Sequence, residues 1–391
     1  MEGWHLRCGL LGQVPRQAAT CVVGYEQRTH SHKKQLLLSS RITRRATSFI
    51  SLHFSKVLHR TAYFGSQSAR AMATNNEQRL YDIVPIPSKG TGVVATQDIA
   101  KGTRIMAEKP LFIVPTNIMQ SGNQVVEKYI AQQLKGLDKD QQHAFLVLHN
   151  CHGTNFSPFL AISKTNMLGL GSPPIGGGLF IEASRINHAC KPNTQNSWNE
   201  RISRETIHAV RDIKKGEEIT ISYMGHFASY DERQAFLKDK FKFDCACEVC
   251  SLPPDQRMAS DERLTTVHEL DQAILNAGRN VKLGLRMVRK MLLLLETEGM
   301  YNSQVYRAYY DAFQMMAAID DKARAGEMIR MSLEHARVVE GHDSKIVKEF
   351  ERLAANPTRH MAWGLYGRNR TQETAPGDKE SEGFKTWLWM E

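Results

Sequence analysis

The sequence predicts an α+β architecture, β-rich in its N-terminal half and helical in its C-terminal half. Short runs of β-branched residues broken by glycine turns dominate residues 80–252. From Pro253-Pro254 onward, apolar residues recur instead at helical spacing. A chain of 391 residues has room for two such domains plus tails. The apolar share of 41% is a little low but sufficient for a core. No apolar run approaches the ~20 residues that a membrane-spanning helix needs, so no membrane role is expected.

The formal charge of +10 is unevenly placed. Residues 1–71 hold 11 Lys/Arg against 2 acids, which leaves about +1 for the remainder. Direct nucleic-acid binding by the folded part is therefore not indicated, because phosphate binding needs clustered positive charge. Residues 1–75 read as a disordered basic segment. Their Arg- and Ser-rich composition also resembles a mitochondrial transit peptide. A third reading makes Met72 the true start. Seven cysteines, three of them within six residues, occur without a secretory signal. An odd total in such a chain fits a reduced compartment better than a disulfide framework.

Taken in order, residues 80–115 read as short strands. Gly90-Thr91-Gly92-Val93-Val94-Ala95 formally matches a dinucleotide-binding fingerprint, but that motif should open a helix. Here β-branched residues follow at once, and Lys101-Gly102 turns the chain back into Ile105-Met106, so a hairpin is expected. The glycines would let backbone approach a cofactor closely. Residues 122–149 look helical, with Val126, Tyr129, Ile130 and Leu134 at helical spacing and a second helix from about Asp138. Ala161 to Asn166 leads into a Gly-rich loop at 169–178.

Arg185-Ile186-Asn187-His188-Ala189-Cys190-Lys191-Pro192-Asn193 follows, and Pro192-Asn193 marks a turn. The stretch from His208 to Tyr223 reads as strand, turn at Lys215-Gly216, then strand with Ile219, Ile221 and Tyr223 on one face. Phe241-Lys242-Phe243-Asp244-Cys245-Ala246-Cys247-Glu248-Val249-Cys250 brings three soft ligands together, which in a reduced compartment points to zinc. Residues 255–355 carry about five helices, roughly 259–276, 281–297, 301–318, 321–339 and 343–354. Residues 357–391 are polar with scattered tryptophan and read as a disordered tail.

In order and spacing, residues 80–252 resemble the SET-domain protein lysine methyltransferases. The likeness is to the SET–MYND branch, with a cysteine-rich post-SET segment and a helical C-terminal region. The MYND zinc finger needs many more cysteines than Cys151 alone, so that module is absent. The resemblance implies a SET-type β-fold of several small sheets with a knot-like C-terminal turn, followed by a tetratricopeptide-like (TPR-like) helical domain or an ordinary bundle. It implies S-adenosyl-L-methionine as methyl donor and Tyr223 as the catalytic tyrosine. Gly90, Thr91, Gly92, Asn187, His188 and Phe243 would contact the cofactor, and Phe241 with Tyr223 would line the lysine channel. Asn166 loosely matches a cofactor-contacting Asn of relatives; a turn Asn is the plain alternative. Cys190 would join Cys245, Cys247 and Cys250 around zinc. Several relatives carry Tyr where this chain has Phe241.

Two functions compete on these residues. The first is methylation of lysine ε-amines on a histone or other protein by a monomer in the nucleus or cytoplasm. The second is a catalytically inactive SET-fold scaffold that binds partner peptides through its helical domain. The intact Asn187, His188, Tyr223 and four thiols favour the enzyme.

Overall fold

The fold is built from three small sheets and a helical arm, seen in a computed structural model that describes residues 79–171, 174–225, 227–367 and 374–391. The targeting, disorder and start-site readings of residues 1–75 lie outside the described residues. From Leu80 onward the described chain forms one unit.

The strands are β1 (Tyr81–Ile86), β2 (Gly90–Ala95), β3 (Arg104–Glu108), β4 (Phe112–Pro115), β5 (Met167–Leu170), β6 (Gly176–Leu179), β7 (Asn187–His188), β8 (Thr194–Asn199), β9 (Arg204–Ala209) and β10 (Glu218–Ile221). They form sheets in the orders β1-β2-β10-β7, β3-β9-β8 and β4-β6-β5. Gly90–Ala95 is a strand, as its β-branched residues require, and pairs antiparallel with β1. The expected hairpin across Lys101-Gly102 does not form. β2 pairs with β1 and β10, whereas β3 crosses to β9. The turn is real, with Gly102 at φ +83°, but local pattern cannot say which sheet receives the strand after it.

The Gly-rich stretch is also a correction. Gly176–Leu179 is the central strand of its sheet, between β4 and β5. A Cβ on Gly176 would lie 2.3 Å from the Val114 carbonyl oxygen. Glycine is needed there for close backbone approach, and its lack of side chains hides the strand from pattern reading. Before it, Pro158–Asn166 is a helix rather than a lead-in to a loop.

The helices of the insert are α1 (Thr116–Met119), α2 (Asn123–Lys135), α3 (Lys139–Leu146) and α4 (Pro158–Asn166). Asp138 begins α3 with a capping box, its side chain accepting from the Gln141 backbone N–H. Next come α5 (Tyr230–Phe241), α6 (Pro254–Leu275), α7 (Val281–Thr297), α8 (Ser303–Ala318), α9 (Lys322–Glu340), α10 (Lys345–Ala355) and α11 (Glu382–Trp389). The five helices α6–α10 lie close to their predicted places, whereas α11 falls in the stretch expected to be disordered. Instead of a disordered tail, Phe384, Trp387 and Leu388 are buried in the core of the arm. A single short amphipathic turn in polar surroundings gives little periodicity; burial against α7 and α8 supplies what propensity lacks. Among the described residues no helix is long and apolar enough to cross a membrane.

Candidate active site

The site begins at β10. Ile219 and Ile221 are fully buried, and Tyr223 packs against the same core. β10 pairs antiparallel with β2 and parallel with β7, which sets Thr220 opposite Asn187 and Ile221 opposite His188. Two stretches over thirty residues apart are thereby joined side by side. The turn leading into β7 is fixed from below. The buried Glu108 carboxylate accepts from the backbone N–H groups of Ile181 at 2.7 Å and Ala183 at 2.8 Å, at the start of the 3-10 turn Ala183–Arg185. Burial raises the Glu108 pKa, and these hydrogen bonds work against the shift.

Tyr223 is held at both ends. Its backbone N–H donates to His188 Nδ1 at 2.9 Å, and its hydroxyl donates to the Ile186 carbonyl at 2.8 Å. Its ring lies 4.7 Å from Phe241 and 5.3 Å from His188 between centroids. Burial pushes the phenol pKa up, so the hydroxyl stays protonated. Burial pushes His188 down to about 4, leaving a neutral ring. Because Nδ1 accepts, the ring proton sits on Nε2, which faces the Cys190 sulfur at 3.3 Å. Both ring nitrogens are thus engaged within the protein, and only the rest of His188 remains for a ligand.

Asn187 reaches the glycine loop. Its Nδ2 donates to Glu218 Oε1 at 2.9 Å and approaches the Thr91 carbonyl oxygen at 3.4 Å. Lys89 pairs with the same carboxylate at 2.7 Å. A Cβ on Gly92 would come within 2.7 Å of Asn187 Nδ2 and 2.6 Å of Ile86 Cγ1, so glycine is required there by the protein's own side chains. Lys89 and Glu218 went unnoticed in the sequence; their adjacency to Gly90 and to β10 was the available signal. Asn166 lies apart from this cluster in its bonding. It is buried at the end of α4, with Nδ2 donating to the carbonyls of His149 and Ile162, the environment of a structural Asn.

The four thiols converge. Cys190, Cys245, Cys247 and Cys250 offer sulfurs that all lie within 4.8 Å of one another. Cys190 is 3.9 Å from Cys245 and 3.5 Å from Cys250, too far for a disulfide. Four sulfurs at about 2.3 Å from a tetrahedral ion would stand about 3.8 Å apart, so the set has the spacing of a thiolate metal site. Arg233 Nη2 points to Cys250 at 3.9 Å while Nη1 pairs with Asp261 at 2.8 Å, which tempers the charge of such a site. Phe241 ends α5 and Phe243 follows it, 6.3 Å from the His188 ring. Between them Lys242 adopts φ +63°, turning the chain towards the sulfurs.

Small sheets meeting at a half-buried tyrosine, with four thiols converging beside it, define a SET-domain protein, and residues 90–224 match the SET domain family model. The chain belongs to the SET-domain protein-lysine N-methyltransferases. It is 33% identical over 286 residues to Histone-lysine N-methyltransferase set5 of Schizosaccharomyces pombe, covering 73% of this chain and 86% of that one. Shorter matches reach human Protein-lysine N-trimethyltransferase SMYD5, 36% identical over 90 residues and 22% of each chain. Human Histone-lysine N-methyltransferase SMYD3 matches at 38% over 76 residues, 19% of this chain and 17% of that one.

Proposed function

We propose that this protein transfers a methyl group from S-adenosyl-L-methionine to the ε-amine of a lysine in a histone or another protein, in the nucleus or cytoplasm. When bound, the cofactor would supply an electrophilic methyl to a lysine that has already lost its ammonium proton to solvent, with the cofactor sulfur keeping the electron pair of the broken carbon–sulfur bond. The observation that carries this reading is Tyr223, half-buried and tethered at hydroxyl and backbone beside the Asn187-His188 strand. Its protonated hydroxyl orients groups rather than removing protons. Free lysine has a pKa of about 10.4, and the apolar ring wall of Tyr223 and Phe241 disfavours the ammonium form. Positioning amine and methyl in line supplies much of the acceleration.

Gly90, Thr91 and Gly92 offer backbone to the cofactor, Asn187 its amide, His188 its main chain, and Phe243 a ring face for adenine. Zinc held by Cys190, Cys245, Cys247 and Cys250 would fasten the segment bearing Phe241 and Phe243. Phe241 has no hydroxyl to engage the amine, which leaves room at the channel for further methylation. The helices of residues 254–355 contact their neighbours in succession, which supports a TPR-like stack. Calorimetric titration with S-adenosyl-L-methionine tests the reading alongside a labelled-methyl assay on histones and cell lysate. Tyr223→Phe is expected to bind cofactor normally and lose methyl transfer by about 10²-fold or more; full activity in that variant would remove Tyr223 from the mechanism.

A further inference from the structure

An open cleft runs between the sheets and the helical arm. Ser222 and Met224, the chain neighbours of Tyr223, line it on one side; the first turn of α8 lines it on the other. Its charge is one-sided. Lys191, Arg233 and Arg307 border it, and no acidic side chain does. Arg233 is already paired with Asp261; the other two are not committed in this way.

Arg307 is the unusual group. It is 8% exposed, yet its guanidinium makes no hydrogen bond to the described residues, and none of its nitrogens is sealed from solvent. The nearby Glu340 carboxylate, which accepts from the Tyr306 hydroxyl at 2.9 Å, balances part of its charge. The guanidinium donors reach the water of the cleft, so an incoming acceptor can replace that water on them. Around it the positive character accumulates. α8 is sixteen residues long and is capped by Asn302, whose side chain and carbonyl accept from the Gln304 and Val305 N–H groups, so what the helix adds to the cleft is the positive end of its dipole. The Gln304 side-chain oxygen is buried without a partner and can accept a hydrogen bond from a backbone or side-chain N–H of a ligand.

We propose that this pocket binds an anionic side chain, a carboxylate or a phosphate, on the protein substrate, next to the lysine to be methylated. The proposal rests on the methyltransferase reading for its occupant. Arg307 would form the fork, the positive end of the α8 dipole would add to the field, and Lys191 would add charge at the rim. The enzyme would then select lysines with an acidic or phosphorylated neighbour.

The test uses the full-length, zinc-loaded protein and fluorescence anisotropy with lysine-centred peptides that differ only in carrying Ala, Glu or phosphoserine at each flanking position. Glu or phosphoserine at one position is expected to tighten binding about tenfold or more over Ala. The tighter of the two identifies carboxylate or phosphate as the better occupant. Arg307→Gln is expected to erase the preference and leave the Ala peptide unaffected, and Lys191→Gln to reduce it. Equal binding of all three peptides overturns the proposal, as does a preference that survives in both variants. If Arg307→Gln fails to fold by thermal melt, an unchanged preference in Lys191→Gln overturns it alone. Cofactor titration of the same samples separates the two readings. Acidic-peptide preference without cofactor binding sinks the enzyme reading and leaves the pocket; cofactor binding without the preference sinks only the pocket.

Discussion

The helical arm and the four-thiol segment hold themselves together by opposite means. The arm buries a continuous apolar core, with Phe313, Met316, Ile329 and Phe350 fully enclosed and Trp387 drawn in from the C-terminus. The thiol segment has Leu237, Phe241, Cys245 and Cys250 buried and little else. A core that size cannot offset the entropy of ordering its loop. Where apolar area is plentiful, shape is set by packing; where it is scarce, ligand bonds must replace it. By this argument Phe241 and Phe243 would depend on a metal held by the four sulfurs, whereas the arm would not.

That contrast breaks in definite ways. The largest effect is expected from Cys250→Ser, or from chelation of the wild-type protein. Methyl transfer should fall below detection while the arm keeps its helical circular dichroism; an active, metal-free protein would show that the sulfurs are mere neighbours. Phe313→Ala should do the reverse. It should cost about 3–5 kcal/mol in denaturant unfolding, with metal content per folded molecule unchanged. A change in bound zinc would mean the two regions fold as one.

Gly92→Ala spares both cores and asks whether the rim at β2 is as tight as its contacts imply. The added methyl must displace Asn187 or Ile86, and cofactor affinity should drop about tenfold by calorimetry, for a strain of 1–3 kcal/mol. The smallest effect concerns the junction of sheet and arm. Burial pushes the Glu205 carboxyl up to about 8, above its unfolded value. Its favourable contribution is therefore complete below pH 4.5 and is lost as pH rises through about 8. Asn196 donates to it at 3.0 Å, and the Glu340 charge on the arm adds to the shift. In Glu205→Gln the decline of stability between pH 6 and 9 should be shallower than in the wild type. Parallel profiles would mean that Glu205 is ionised in the folded protein.

Much of the site was legible because its residues cluster along the chain. Asn187 and His188 are adjacent, Cys245, Cys247 and Cys250 lie within six residues, and Tyr223 closes a strand of alternating isoleucines. The polar link from Lys89 through Glu218 to Asn187 was not legible, since charged residues at strand ends are ordinarily solvated. Asn166 shows the converse. It matched a pattern, but its amide is spent on the carbonyls of His149 and Ile162.

By itself the sequence determined the class of those elements that carry a periodicity of two or of 3.6, and the chemical types gathered in each stretch. It determined that three thiols sit on one loop and that the arm is helical. Only the tertiary structure decided which strands pair, that glycines 176–178 form a central strand, that Trp387 is buried, and that His188 turns both ring nitrogens inward. Those outcomes depend on contacts between residues far apart in the chain, whose energies no local pattern encodes.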